Sequence, residues 1–125
     1  MEKKQSYEDY LERIIMLEET IGSVRSIDIA NSMNFARSSV SIAVKKLEND
    51  GLITVDRKDF FIHLTAKGRE IGEKTLHKHK ILSLFFVKLG VSPKTAEQDA
   101  CKIEHDISDE SFKAFEEFLA REESK

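Results

Sequence analysis

The sequence predicts a mainly α-helical protein with one small β-hairpin. Apolar residues recur at helical spacing through most of the chain, and one pair of β-rich segments, 52–55 and 60–64, flanks a short polar turn. With 40% apolar and 34% charged residues among 125, the chain can form one domain or two small ones that share a helix.

The first helix is predicted to begin at Ser6, with Asp9 three residues later in a capping-box-like arrangement, and to end at Gly22. Asp9 and Glu12 lie one turn apart and off its apolar stripe. Carboxylates at this spacing are most often a solvated face, so the spacing alone assigns them no function. The stripe itself consists of Tyr7, Tyr10, Leu11, Ile14, Leu17 and Ile21.

Two further helices are predicted, a short one over 26–33 and a longer one over 36–51, joined by a tight turn. The second has two chemically different faces. Short hydroxyls, a cation and a methyl-bearing residue suit entry into a DNA major groove, although an ordinary surface helix is the alternative. The apolar face holds Val40, Ala43, Val44 and Leu47, and the opposite face holds Ser38, Ile42, Lys45 and Asn49.

Gly51 ends this helix, and the two β-rich segments then form a hairpin around the charged turn 56–59. Two short helices joined by a tight turn, followed by a hairpin with a basic tip, make a winged helix-turn-helix. The sequence therefore predicts an N-terminal DNA-binding module.

A long helix is predicted from Thr65 to Leu89, and its last part, 81–89, is apolar on nearly every side. Further helices should start near Pro93 and Ser108. Because so short a chain has little material to cover such a helix, a second subunit is the natural cover. The expected interface residues are Leu84, Phe85, Phe112 and Phe115.

The net charge of −3 is unevenly distributed. Residues 25–80 hold 11 basic and 7 acidic side chains, a balance of +4, whereas residues 1–24 balance to −3 and residues 81–125 to −4. A basic middle segment is what local phosphate binding requires.

Other features of the composition bear on location. No apolar stretch is long enough for a membrane span, the N-terminus lacks the apolar segment of a signal peptide, and one cysteine excludes a disulfide within the chain. We therefore expect a cytoplasmic protein with neither a membrane partner nor a small-molecule substrate.

The segment A-C-K-I-E-H-D at 100–106 carries metal-ligand chemistry. On a helix, Glu104 and His105 follow Cys101 by three and four residues, so a thiolate, a carboxylate and an imidazole can converge on one ion. Carboxylates and imidazoles suit Mn²⁺ and Fe²⁺, while a thiolate favours Fe²⁺, Co²⁺ or Zn²⁺. Three unrelated polar residues on a surface helix are the alternative.

Taken together, the motifs resemble the DtxR/MntR family of iron- and manganese-dependent repressors over nearly the whole chain. The resemblance implies a winged helix-turn-helix DNA-binding domain over 1–75 and a helical metal-binding and dimerisation domain over 76–125, sharing the long helix. The SH3-like tail of longer members is expected to be absent. The motifs are Y-x-D-Y-L-E-x-I at 7–14, S-S-V-S at 38–41, L-x-x-D-G-L-I at 47–53, L-T-x-x-G at 64–68, H-K-H at 77–79, A-C-x-x-E-H at 100–105 and S-D-E at 108–110.

By this resemblance, the metal ligands come from three separate segments. Asp9 and Glu12 match acidic ligands of the manganese branch. His79 matches the ligand histidine of both branches, and Glu104 and His105 match the family's E-H pair. The bound ion is expected to be Mn²⁺ or Fe²⁺, with Zn²⁺ or Co²⁺ able to bind in vitro.

Three positions mix the two branches of the family. Cys101 stands where the iron branch has cysteine and the manganese branch has glutamate, so the site is a hybrid. Ser83 occupies the position of an iron-branch glutamate ligand, and Glu97 that of its partner histidine. A second metal site, with Glu97 as an additional candidate ligand, would have to be built differently.

The resemblance also implies a homodimer that represses transcription, with metal-uptake genes as its targets. It would bind a palindromic operator, and metal would fix the spacing of the two recognition helices with a coupling of about 1–3 kcal/mol. Arg37 and Ile42 depart from the usual family residues. The expected DNA-binding residues are Arg37, Ser38, Ser39, Ser41, Ile42, Lys45, Lys46, Arg57 and Lys58.

Other function classes are less well supported. A winged-helix regulator could sense oxidants through Cys101 without metal, with Lys102 or His105 as the cation that a reactive thiolate needs. The acidic residues would then have no purpose. An enzyme with Cys101 as nucleophile is a second alternative, but the sequence contains no glycine-rich loop and no sign of an oxyanion hole. A scaffold that binds only protein is a third, but it would not need the basic middle segment.

Overall fold

The computed structural model describes residues 2–123, with side chains from residue 6 onward. These residues fold into six helices and one antiparallel hairpin. This confirms the mainly α fold class. No helix in this range has both the length and the apolar character of a membrane span. The elements are α1 (Glu2–Ile21), α2 (Ser26–Met33), α3 (Arg37–Asn49), β1 (Ile53–Val55), β2 (Ile62–Leu64), α4 (Ala66–Lys88), α5 (Pro93–Ile103) and α6 (Asp109–Glu123).

The chain divides into two compact units, residues 1–73 and 74–125, and the division falls within α4. The N-terminal unit has a core formed by one face of each helix and the inner side of the hairpin. Three of its buried residues come from the predicted apolar stripe of α3. The core residues are Tyr10, Leu11, Ile14, Val24, Ile29, Ala30, Val40, Val44, Leu47, Leu52, Ile53 and Ile62.

Helix α1 differs from its prediction in extent and in the face that it buries. It begins at Glu2 rather than Ser6, and Ile21 is exposed because Gly22, with φ of 84°, ends the helix directly after it. Ile15 and Glu12 are buried, although neither belongs to the predicted stripe. The helix is therefore covered over a broader arc than a single apolar stripe indicates.

The hairpin is shorter than predicted. Its register pairs Ile53 with Leu64 and Val55 with Ile62, and Ile62 also donates its amide to the carbonyl of Val24 at 2.7 Å. Phe60 and Phe61 lie outside β2 because Phe60 adopts a left-handed conformation, with φ of 62°, which the tight tip requires.

The carboxylate of Asp56 organises the hairpin tip. One of its oxygens accepts hydrogen bonds from the amides of Lys58 at 2.7 Å and Asp59 at 3.1 Å. These two bonds hold the pKa of Asp56 below its ordinary value. The amide of Phe60 donates to the carbonyl of Asp56 at 3.0 Å, and the amide of Asp56 donates to the carbonyl of Phe61 at 3.1 Å. The tip is thus closed by four hydrogen bonds.

A close backbone contact fixes the start of α4 against the end of the α3 segment. The hydroxyl of Thr65 donates to the carbonyl of Gly51 at 2.8 Å and accepts the amide of Gly68 at 3.1 Å. A Cβ atom on Gly68 would lie 1.9 Å from the carbonyl oxygen of Leu52. Only glycine fits here, which accounts for the glycine of the L-T-x-x-G motif.

The C-terminal unit contains the second part of α4 together with α5 and α6. Both short helices have serine caps: Ser92 accepts the amide of Thr95 at 3.4 Å, and Ser108 accepts the amide of Ser111 at 3.1 Å. Helix α5 ends at Ile103, so Glu104 caps it rather than lying within it. Buried side chains from all three helices include Leu82, Ala96, Ala100, Phe112 and Leu119.

We predict that Gly68→Ala lowers the free energy of unfolding by at least about 2 kcal/mol, because the added methyl group meets rigid backbone. Urea denaturation followed by circular dichroism measures this change. Lys67→Ala, at an exposed position in the same turn, is the matched control and should change stability by less than about 0.5 kcal/mol. Equal effects of the two substitutions would contradict the steric explanation.

Candidate metal centre and nucleic-acid interface

Three candidate metal ligands lie together in the C-terminal unit. His79 belongs to α4, Cys101 to α5, and Glu104 is the residue that caps α5. One ligand atom from each lies within 4.8 Å of the other two. An imidazole, a thiol and a carboxylate therefore face a common point, and this donor set suits a divalent transition metal.

Glu104 lies at the centre of this cluster, and its side chain is 0% exposed. Its Oε2 atom is 2.9 Å from Nδ1 of His79, and its Oε1 atom is 3.4 Å from Nε2 of His105. Both imidazoles are themselves largely buried. A buried carboxylate without positive charge beside it costs several kcal/mol, and a cation bound beside Glu104 would remove this cost.

The cluster fits a divalent metal ion. Oε1 of Glu104 is buried and makes no hydrogen bond to any residue that the structure describes. Buried carboxylate oxygens almost always have a hydrogen-bond partner or a metal. This oxygen lies on the side of His105, and the other oxygen of the same carboxylate contacts His79, so Glu104 has one oxygen that a cation could engage.

Glu97 and Ser83 flank His79 on its other side. The carboxylate of Glu97 is 4.0 Å from Nε2 of His79, but this side chain is 68% exposed. The hydroxyl of Ser83, one turn after His79 on α4, is buried. Both residues line a shallow groove that also contains His79. Glu97 is therefore near the cluster, as an outer neighbour of His79.

The two carboxylates predicted from α1 belong to the N-terminal unit. Asp9 is partly buried, and Glu12 is only 5% exposed. The expectation that both occupy a solvated face is wrong for Glu12, because α1 is covered over a broad arc. Their assignment as metal ligands stays a prediction.

The polar face of α3 is open to solvent. All seven residues predicted to contact DNA from this helix are exposed, including the apolar Ile42. A face of short hydroxyls, cations and one isoleucine that the core does not use can approach base edges and phosphates. Its residues are Arg37, Ser38, Ser39, Ser41, Ile42, Lys45 and Lys46.

A contact between distant segments ties α1 to the end of α3. The hydroxyl of Tyr7 donates to the carboxylate of Asp50, the residue that caps α3. This hydrogen bond raises the pKa of Tyr7. The sequence gives no sign of this contact, because 43 residues separate the two side chains.

The two cations predicted for the hairpin tip have different surroundings. Arg57 forms an ion pair with Glu48 of α3 at 3.0 Å, and Glu48 also accepts the amide of Val55 at 3.3 Å. Lys58 is exposed and has no acidic partner among the described residues. Arg57 therefore braces the hairpin against α3, whereas the charge of Lys58 is available to a phosphate.

An apolar surface covers part of the C-terminal unit. The ring of Phe85 lies 4.5 Å from that of Phe115 and 5.8 Å from that of Phe118. A groove lined by these rings and by Ile103 and Ile107 runs beside α6. Phe118, one turn after Phe115 on α6, is exposed.

Phe112 does not belong to this surface. It is only 8% exposed, and its ring packs edge-on against His77 at 5.6 Å. Its assignment to a subunit interface stays a prediction, and the exposed Phe118 is an aromatic residue that a partner could reach more readily.

Comparison with known proteins identifies the family. Residues 4–59 match the N-terminal DNA-binding domain of iron-dependent repressors, and residues 65–124 match the metal-binding and dimerisation domain of the same proteins. The chain is 32% identical over 124 residues to the transcriptional regulator MntR of Escherichia coli, covering 98% of this chain and 79% of the relative. The chain belongs to the DtxR/MntR family of metal-dependent transcriptional repressors.

Other members of the DtxR/MntR family are similar over most of the chain. An HTH-type transcriptional regulator of Methanocaldococcus jannaschii is 37% identical over 123 residues, covering 97% of this chain and 98% of its own length. The solved structure of the manganese regulator SloR superimposes with a TM-score of 0.80 at 30% identity, covering 91% of this chain. The chain spans 53% of the SloR chain. The family consists of transcriptional regulators rather than enzymes.

We predict that Co²⁺ added to the protein produces a thiolate-to-metal charge-transfer absorption that Cys101→Ser abolishes. His79→Ala should weaken Co²⁺ binding at least about tenfold by calorimetry, since even outer partners of a metal site contribute roughly 10–100-fold. Glu97→Gln is the matched control and should keep the absorption. Tight Co²⁺ binding by the wild-type protein without the absorption would contradict a ligand role for Cys101.

Proposed function

We propose that this DtxR/MntR family member is a metal-activated repressor that binds operator DNA as a homodimer. The observation that carries the proposal is the buried carboxylate of Glu104, which lies beside His79 and Cys101 and has one buried oxygen that makes no hydrogen bond to any described residue. An exposed DNA-reading face on α3 and an apolar surface in the C-terminal unit support the two other parts of the proposal.

In this proposal His79, Cys101, Glu104 and His105 hold the ion. When bound, a divalent metal supplies positive charge that neutralises the buried carboxylate and the thiolate. Glu104 orients the imidazole of His79 by its contact with Nδ1. The other ring nitrogen, Nε2, then lies on the side of Glu97. The residues thereby join α4 to the end of α5.

We further propose, from the family resemblance, that Asp9 and Glu12 add carboxylate ligands from α1. Tyr7 of α1 is hydrogen-bonded to Asp50 at the end of α3. A conformational change in α1 would therefore be transmitted to the recognition helix through a direct contact.

The donor set supports a proposal for the activating ion. Imidazole and carboxylate ligands suit Mn²⁺ and Fe²⁺, and the thiol of Cys101 shifts the preference toward Fe²⁺. Relatives of known structure have been crystallised with manganese, zinc and cadmium. We propose Mn²⁺ or Fe²⁺ as the activating ion and metal-uptake genes as the regulated genes.

The apolar surface around Phe85, Phe115 and Phe118 is proposed as the dimer interface. Leu84 and Phe118 are exposed, and the rings of Phe85 and Phe115 are half-buried. Exposed apolar groups that adjoin in this way are typical of interfaces between subunits. A two-fold dimer would place two α3 helices at the spacing of two operator half-sites.

The central test is DNA binding with and without metal. The protein is incubated with a random pool of DNA duplexes in the presence of Mn²⁺, and the selected duplex is used in salt-dependent fluorescence anisotropy. Wild-type affinity should rise at least about fivefold with Mn²⁺, the lower range of ordinary allosteric coupling. Glu104→Gln should lose this increase and keep the affinity of the metal-free protein.

Glu117→Gln, an exposed carboxylate on α6, is the control and should respond to Mn²⁺ like the wild-type protein. The proposal would be overturned if Mn²⁺ and Fe²⁺ did not change DNA binding, peroxide abolished it, and the Cys101→Ser variant kept binding DNA after peroxide treatment. That result would instead favour an oxidant sensor based on the exposed thiol of Cys101.

We predict that Phe118→Asp shifts the protein from dimer to monomer in sedimentation experiments, because a carboxylate in an apolar interface loses its hydration without gaining a partner. The dissociation constant should increase at least about tenfold. Glu117→Ala, the neighbouring exposed residue on the same helix, should leave it unchanged. A Phe118→Asp protein that dimerises like the wild type would place the interface elsewhere.

A further inference from the structure

Two adjacent aromatic residues at the hairpin tip have opposite environments. The ring of Phe61 is covered by the guanidinium of Arg25, whose central carbon lies 4.2 Å from the ring centroid. Phe60 is 59% exposed. A phenylalanine ring in water is unfavourable by the transfer free energy of its apolar area, and a polar residue would avoid this cost at a hairpin tip.

The backbone of Phe60 adds a second unfavourable feature. Its φ of 62° lies in the left-handed region, which glycine and asparagine adopt much more readily than an aromatic residue. Either residue would close the same turn with less strain. Nothing in the fold of the hairpin therefore requires a phenylalanine at this position, and its ring is available for an external partner.

The tip that carries Phe60 is held from two sides. Arg57 is paired with Glu48 near the end of α3 at 3.0 Å, and Nε of Arg25 donates to the carbonyl of Asp59 at 2.9 Å. Together with the hydrogen bonds around Asp56, these contacts fix the direction in which Phe60 projects. An apolar group held rigidly in solvent loses little conformational entropy when it binds.

We propose that Phe60 inserts its ring into the DNA minor groove beside each operator half-site. This inference rests on the proposed operator binding and extends it to a groove and a residue. Helix α3 would fill the major groove, and Glu48 and Arg57 attach the hairpin tip to its last turn. The surface next to the major groove is a phosphate backbone, and the minor groove lies beyond it.

The chemistry around Phe60 suits that location. Lys58, two residues away, is exposed and has no acidic partner among the described residues, so it can contact the intervening phosphates. Proteins that enter the minor groove often use an apolar wedge, which contacts the sugars and partly separates neighbouring bases. Lys58 would contribute salt-dependent affinity, and Phe60 would contribute affinity that salt does not change.

The test uses variants that remove the ring without adding backbone strain. Phe60→Gly and Phe60→Asn both accept the left-handed conformation, so each should retain or increase the thermal stability of the wild-type protein. The probe is the duplex that Mn²⁺-loaded wild-type protein selects from a random pool. Affinity is measured at several salt concentrations, and hydroxyl-radical footprinting reports which minor-groove sugars are protected.

We expect both variants to bind this duplex at least about tenfold more weakly, as is usual when an aromatic contact is removed. The slope of affinity against salt should not change. Footprints should lose protection at the flanks and keep it at the centre of each half-site. Lys58→Ala is the matched control, because it should reduce the salt slope by about one and leave sugar protection in place.

The inference fails if Phe60→Gly binds the selected duplex as tightly as the wild-type protein does. The proposed repressor function would not be affected by that result. The inference also fails if Phe60→Gly weakens the dimer in sedimentation experiments and leaves flank protection intact, since Phe60 would then contact a second copy of the chain. Failure of the wild-type protein to select any duplex would overturn operator binding itself, and this inference with it.

Discussion

The C-terminal unit depends on the burial of one carboxylate. Glu104 is removed from water between His79 and His105, with the thiol of Cys101 within 4.8 Å of His79 and Glu104. A negative charge in such a place is stable only beside a positive one. A divalent cation bound beside Glu104 would supply that positive charge, which is why the proposed metal response rests on this carboxylate.

In the N-terminal unit, contacts outside the polar face of α3 hold this predicted DNA-reading surface in position. Glu48 anchors Arg57, Arg25 anchors the other side of the hairpin tip, and Asp50 binds Tyr7 of α1. Each of these contacts joins an end of one element to another element. The exposed face of α3 can then consist of short polar residues, because rigidity comes from the supports around it.

Sequence reasoning succeeded where a local rule decided the outcome. The bounds of α2 and the apolar stripe of α3 follow from periodicity and turn chemistry within a few residues. It did not anticipate that Glu12 and Phe112 are buried. Burial of Glu12 depends on how much of α1 is covered, and the place of Phe112 depends on its packing against His77 of another helix. Neither quantity is encoded within one helix.

By itself, the sequence determined the helical fold class, the hairpin, the polar face of α3 and the grouping of a thiol, a carboxylate and an imidazole within five residues of α5 and its end. All of these depend on spacing along the chain, which a helix or a turn converts directly into position. Only the tertiary structure decided that Glu104 is the buried centre of its cluster, that Arg57 serves as a brace and that Phe60 is left in solvent beside a covered Phe61. These outcomes depend on contacts between residues far apart in the chain, whose packing no local pattern specifies.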